Sequence, residues 1–160
     1  MKTYLILGSN IGDKLYYLKK AIDLIEKNIG KIILKSSVYE SEPWGFKSKN
    51  KFANQVTCID TKKSPENILE NILLIEKKLD RVRSSKQFTD RTIDVDILFT
   101  DDLIIEKNNL KIPHPLLHKR KFVLVPLAEI AGDFVHPVLK KTIKKLLEEC
   151  EDKLAVRKFL

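Results

Sequence analysis

A chain of 160 residues, 43% hydrophobic and 32% charged with only 5 Gly and 6 Pro, is long enough to bury one core, and its composition excludes a disordered or fibrous protein. Lys and Arg number 30 against 22 Asp and Glu, so the net charge of +8 favours polyanionic partners. No run approaches the roughly 20 apolar residues of a membrane span, and Cys58 and Cys150 stand outside any CxxC or Cys/His pattern, so a single cytoplasmic domain over 1–160 with reduced thiols is expected.

Residues 2–7, KTYLIL, read as a short apolar strand ending at Gly8. The stretch Gly8-Ser9-Asn10-x-Gly12 lacks the spacing and the lysine of a phosphate loop and reads as a tight strand-to-helix turn. Asp13 caps a helix to about Asn28, with Leu15, Leu18, Ala21, Ile22 and Ile25 in one stripe and Gly30 closing it. A second strand covers 31–39. Residues 40–51, ESEPWGFKSKNK, form a long loop that carries the only Trp and suits a functional role. A third strand covers 52–60, and Ser64 with Pro65 at the first helical position opens a helix to about Asp80, striped by Ile68, Ile72, Ile75 and Leu79. The polar stretch 83–90 leads into a fourth strand. This β-α-β, β-α-β order predicts an α+β, ferredoxin-like βαββαβ core: an antiparallel sheet with both helices on one face and the other face free. Beyond Asp101 the chain reads as an appendix: a short element at 103–105, a turn at 107–109, a proline- and histidine-containing segment, and a helix from about Thr142.

The fourth strand carries the chemistry. In RTIDVDIL, Ile93, Val95 and Ile97 alternate with Asp94 and Asp96, which puts both carboxylates on one face roughly 6 to 7 Å apart. Two acids at that spacing need a cation in front of them or a proton on one of them. If they look out from the uncovered face, near arginines, they suit Mg²⁺ carrying a nucleotide's phosphates; a solvent-facing Asp pair is the bland alternative. Arg81, Arg83, Arg91 and Arg120 lie in the same regions, and the planar guanidinium matches phosphate. In PHPLLH, His114 and His118 have zinc-binding spacing but no third soft ligand nearby, which leaves a phosphate contact or a structural turn. Trp44, Phe46, Phe52, Phe88 and Phe122 fall at element ends or in loops, where a flat heterocycle stacks or a core packs.

Together LGSNIGD, SSVYESEPWG, FANQV, IEKKLDRVR, RTIDVDIL and IPHPLLHKRKFVLVPLAEIA resemble, in order and spacing over about residues 3–139, the signature blocks of 6-hydroxymethyl-7,8-dihydropterin pyrophosphokinases, folate-pathway enzymes. The resemblance implies a ferredoxin-like fold and transfer of the pyrophosphoryl group of ATP to the pterin hydroxymethyl group, with AMP released. It implies two Mg²⁺ on Asp94 and Asp96, phosphate or loop roles for Arg81, Arg83, Arg91, His114 and Arg120, with Arg81 and Arg91 catalytic, and a nucleotide contact at Glu76. It also places adenine at the Ile97 backbone, the pterin between Phe52 and Phe122, Asn54 as its amide partner, and Ser41 and Trp44 beside it. The implied partners are these two small molecules, without nucleic acid or membrane, for a monomer. One block departs: where many members read W-(G/A)-P-R, this chain reads Gln87-Phe88-Thr89-Asp90-Arg91, which puts the closure of the 83–90 loop and any role of Phe88 in question.

Two other readings compete. A nucleotidyltransferase also pairs a Gly-Ser turn with DxD, but places them within a helix of each other, whereas 86 positions separate Gly8 from Asp94 (94 minus 8). A ferredoxin-like RNA-binding module would expose aromatics on its free face, but the expected K/R-G-F/Y block is missing.

Overall fold

The computed structural model describes residues 1–82 and 88–159; Arg83 and Gln87 lie outside the described residues. β1 (Lys2–Ser9) takes the middle of the sheet because both of its faces are apolar, with Leu5, Ile6 and Leu7 all buried. It pairs antiparallel with β4 (Phe52–Asp60) on one side and β5 (Asp94–Thr100) on the other. β2 (Lys31–Lys35) and β3 (Tyr39–Ser41) lie end to end along the outer edge of β4, in place of one continuous strand over 31–39. Ser36 fills the break: its N–H bonds the Val56 carbonyl at 2.9 Å and its hydroxyl accepts the Val56 N–H at 3.0 Å. β8 (Val156–Lys158) adds to β3 and completes a six-stranded sheet.

α1 (Lys14–Asn28) joins β1 to β2, and α2 (Pro65–Lys78) joins β4 to β5, so both expected βαβ units are present with every neighbouring strand antiparallel. The caps are those the residues demand. The Asp13 carboxylate accepts the Tyr16 N–H at 3.1 Å, and the Ser64 hydroxyl accepts the Asn67 N–H at 3.2 Å. α1 buries Leu18, Ala21, Ile22 and Ile25 while Leu15 stays exposed, and α2 buries Ile68, Ile72 and Ile75. α2 then stops in a Schellman turn. Asp80 takes the left-handed conformation (φ 68°), the Arg81 N–H reaches the Glu76 carbonyl at 3.1 Å, and the Asp80 N–H reaches that of Lys77 at 3.3 Å.

The second face of the sheet is not free, contrary to the expectation from the βαββαβ pattern alone. Tyr4, Ile6 and Gly8 alternate onto one face of β1 and stand opposite Phe99, Asp96 and Asp94. Phe99 stacks on Tyr4 (centroids 4.5 Å apart) and on Phe134 (4.0 Å), so the segment after β5 roofs the Tyr4 end of this face. Its main element is α3 (Lys121–Ala131), which packs on β3, β4, β8 and α4 (Ile143–Glu149). The periodicity hid α3: LVPLAEIA has a single charged residue, Glu129, too little for a polar stripe, and Pro126 withholds the hydrogen bond that a helix would give the Phe122 carbonyl. The hairpin of β6 (Ile105–Lys107) and β7 (Leu110–Ile112) turns at Asn108 and Asn109, so the short strand expected at 103–105 starts later. What stays open is the Gly8 end of the face.

Candidate active site

That opening is a cavity of about 520 Å³ between the sheet, α2 and the roof. Gly8 sits at its floor opposite Asp94, and a Cβ there would come within 3.2 Å of Asn54 Oδ1 and 3.5 Å of the Phe52 ring. A side chain there would press on the Asn54 amide by a few tenths of an ångström.

Both aspartates line the cavity, as strand alternation predicts. Asp94 is gripped from two sides: Arg81 Nη1 donates to Oδ1 at 2.8 Å and Arg91 Nη1 to Oδ2 at 3.1 Å. Arg81 arrives from the Schellman turn and is held by Glu76, whose Oε2 accepts from Arg81 Nη1 and from the Val95 N–H, both at 2.9 Å. Glu76 is therefore a buried splint, 2% exposed, between the end of α2 and the Asp-pair strand. Burial opposes the Arg81 charge, but Asp94 and Glu76 outweigh it and keep the guanidinium firmly protonated. Asp96 differs. Burial, then the Asp94 charge, pushes its carboxyl up to about 7 against the pull of Arg120. The tension anticipated for two adjacent acids thus falls on Asp96, while arginines compensate Asp94.

Arg120 is the N-cap residue of α3 but makes no side-chain cap; Asp152 takes the Lys121 N–H instead, at 3.0 Å. The Arg120 guanidinium turns to the cavity, over Trp44 (4.6 Å to the centroid) and against Phe88 and Phe122 (both 5.7 Å). It is 8% exposed, and its buried Nε has no hydrogen-bond partner. Burial lowers its pKa from the ordinary arginine value, with Asp96 and Asp94 opposing, and the side chain stays cationic. A buried, underused guanidinium is the kind of group an anion completes.

His114 follows the cis Ile112–Pro113 peptide, and its N–H bonds the Leu98 carbonyl at 2.8 Å, fixing it at the cavity wall. Its Nδ1 accepts the Leu116 N–H at 3.1 Å, which leaves Nε2–H as the donor of a neutral ring. Burial and then Arg120 lower its pKa to about 4, so it stays neutral at physiological pH. His118 is not among the lining residues, and no cluster of three or more possible metal ligands occurs among the described residues, so nothing supports a zinc site. Two carboxylates facing phosphate-seeking guanidiniums do fit a hard divalent cation that completes its shell with phosphate and water.

The opposite wall is apolar. Phe52, Phe122, Trp44 and Phe46 line it, with Phe52 edge-on to Phe46 (6.2 Å) and Trp44 edge-on to Phe88 (6.0 Å). Asn54, buried beside them, donates Nδ2 to Ser41 Oγ at 2.7 Å, which fixes the orientation of the amide. The Ile97 side chain is buried in the core opposite Leu5 and is not among the lining residues, which bears only on the side chain and not on the backbone contact expected there.

The family profile described as 7,8-dihydro-6-hydroxymethylpterin-pyrophosphokinase (HPPK) matches residues 4–132. A 2-amino-4-hydroxy-6-hydroxymethyldihydropteridine pyrophosphokinase of Aquifex aeolicus is 41% identical over 148 residues, covering 91% of this chain and 90% of that protein. The chain belongs to the HPPK family. A protein of the same name from Methylorubrum extorquens is 40% identical over 84% of this chain and 85% of its own length. The Pneumocystis carinii folic acid synthesis protein fol1 is 40% identical across 93% of this chain, which spans only 20% of it. In structure, the chain superposes on Plasmodium falciparum HPPK-DHPS with pteroate at a TM-score of 0.78, covering 92% of this chain and 44% of that one; at 19% identity this is a likeness of fold.

The HPPK fold also removes one objection to a rival. Gly8 and Asp94, distant in sequence, face each other across β1 and β5, so separation along the chain says nothing against a nucleotidyltransferase; the family match does. Sequence reading missed Asn10 as a site residue. It is 3% exposed and joins its own loop to those of Asn50 and of Asp90 and Arg91, a role with no local signature.

Proposed function

We propose that this protein transfers the pyrophosphoryl group of ATP to 6-hydroxymethyl-7,8-dihydropterin, releasing AMP, with two magnesium ions on Asp94 and Asp96. One observation carries the reading: a single cavity brings together an acid pair, an incompletely bonded buried arginine and an aromatic slot with a buried amide. The acids and the arginine suit a metal-bound triphosphate, the slot a flat polar heterocycle. Membership of the HPPK family supports the same pair of substrates.

In the reaction the pterin hydroxyl oxygen attacks the β-phosphorus, the bond from that phosphorus to the oxygen bridging it to the α-phosphorus breaks, AMP leaves, and the hydroxyl proton passes to solvent. Magnesium, when bound, neutralises phosphate charge and aligns the two oxygens in line with the β-phosphorus. This chain's own residues then have distinct tasks. Phosphate oxygens compete for the Arg81 and Arg91 guanidiniums that now hold Asp94, which frees that carboxylate for the cation. Arg120 meets the charge that shifts toward the leaving group, and His114 donates through Nε2–H without adding charge. Phe52 and Phe122 orient the pterin, and Asn54 reads its polar edge.

We further read the chain as one domain, since a single apolar cluster runs from Leu5 to Leu146, and as a monomer of the cytoplasm, where ATP is found. No helix among the described residues is long and apolar enough to cross a membrane.

Incubation with Mg-ATP and the pterin, followed by chromatography of the nucleotides, tests the reading. AMP should appear only when the pterin is present, and a chelator should stop it. Pterin-dependent ADP, or no turnover by folded protein, overturns it. The slot is tested separately. Phe122→Ala should weaken pterin binding by about 1 to 3 kcal/mol, the scale of a lost stacking face, and change ATP binding much less. Phe52→Ala should cost stability as well, because Phe52 is buried against Phe46 and the Arg91 guanidinium. Calorimetry showing equal losses for both ligands would make the rings plain core.

A further inference from the structure

The departure in the sequence block before Arg91 has a structural counterpart. Thr89 and Asp90 precede Arg91, and the Asp90 carboxylate is the meeting point of two neighbouring loops. Asn10 Nδ2 donates to Oδ1 at 2.8 Å and Asn50 Nδ2 to Oδ2 at 3.1 Å. Asn10 is itself fastened to the next residue on both sides: its N–H reaches the Arg91 carbonyl at 3.1 Å, and its Oδ1 accepts the Arg91 N–H at 2.8 Å. Its Nδ2 also reaches the Asn50 carbonyl at 3.2 Å.

From this geometry we propose that Asp90 is a positioning residue that latches the 42–51 loop to the Arg91 backbone and so holds the aromatic wall of the cavity shut. The latch joins two segments whose separate positions matter to the site. The 42–51 loop carries Trp44 and Phe46, and Arg91 lies over the Phe46 and Phe52 rings while bonding Asp94. Without Asp90 the Asn50 side chain loses its carboxylate partner, and Asn10 keeps Arg91 and the Asn50 carbonyl but loses the carboxylate that braces them. A carboxylate that accepts from amides on two different loops ties those loops together. Because the latch touches neither α2 nor the His114–Arg120 segment, its effect falls on the pterin side of the cavity.

This inference rests on the pyrophosphokinase reading, and its test separates the two. Asp90→Ala should raise the pterin KM by roughly five- to tenfold, the scale of one or two lost charge-assisted hydrogen bonds, with kcat and the ATP KM changed by less than about twofold, the pattern of lost ground-state binding. Asp90→Asn, which keeps one acceptor, should fall in between. Asn50→Ala, at the exposed end of the latch, should act in the same direction, and combining it with Asp90→Ala should add little, since both break one link. Independently of turnover, backbone hydrogen exchange across 42–51 should accelerate in Asp90→Ala. Unchanged exchange in that loop overturns the latch even if the wild-type enzyme makes AMP. Additive effects of the two substitutions, or equal rises in both KM values, also overturn it.

Discussion

Asp96→Asn and Asp94→Asn should each reduce turnover by roughly three orders of magnitude, the upper scale for losing a group that meets charge in a transition state, yet their effects on the metal-free protein should be opposite. Asp94 is the anchor of Arg81 and Arg91, so its replacement leaves two half-buried guanidiniums short of a counter-charge and should lower the melting temperature. Asp96 has no ion-pair partner among the described residues, only the more distant pull of Arg120 and Arg91, and carries the strain of the pair. Its folded-state pKa lies above the ordinary carboxylate value, so between that value and about 7 the folded protein holds a proton that the unfolded chain releases. The burden on stability is therefore absent at acid pH, grows as pH rises, and is complete above about 7. In chelator, Asp96→Asn should then melt higher than the parent at pH 8 and level with it near pH 4. Thermal melts at the two pH values decide this, and turnover at saturating magnesium decides the catalytic part. Near-normal turnover of both variants would remove the metal assignment.

Some of this site was legible from local pattern and some was not, for identifiable reasons. Strand alternation placed Asp94 and Asp96 on one face because that rule needs only the backbone period. The caps at Asp13 and Ser64 were legible because a cap is made within a few residues of itself. The unequal state of the two acids was not, since it depends on Arg81 delivered by a Schellman turn at Asp80 and on Glu76 bridging to the Val95 N–H. The roof was missed for a related reason. A helix buried by the sheet on one side and by α4 on another has no polar stripe to betray it, and Pro126 argued against helix. Asn10 carries no signal at all until three loops converge on it.

Arg120 shows how that missed roof makes the cavity reactive. Its guanidinium meets no carboxylate among the described residues and instead lies among Trp44, Phe88 and Phe122, with the Nε buried and unbonded. Aromatic faces hold the cation without neutralising it, so its charge remains available to an anion and to Asp96. Arg120→Met keeps much of the packing length and removes the charge. It should lower kcat/KM by about 10² to 10³, the scale of one donor aimed at developing charge, and weaken ATP binding more than pterin binding. The fold should survive, because burial already opposes this charge, and the metal-free variant should melt no lower than the parent. Arg120→Lys should recover only part of the activity, since an ammonium on a flexible stem can neither stack flat on Trp44 nor offer two parallel donors to a phosphate. Titration calorimetry with a non-hydrolysable ATP analogue and with the pterin separates the outcomes. If Arg120→Met binds the nucleotide as the parent does and turns over within a few-fold of it, the arginine is a packing element between the rings, and the charge that meets the phosphates must come from Arg81 and Arg91 alone.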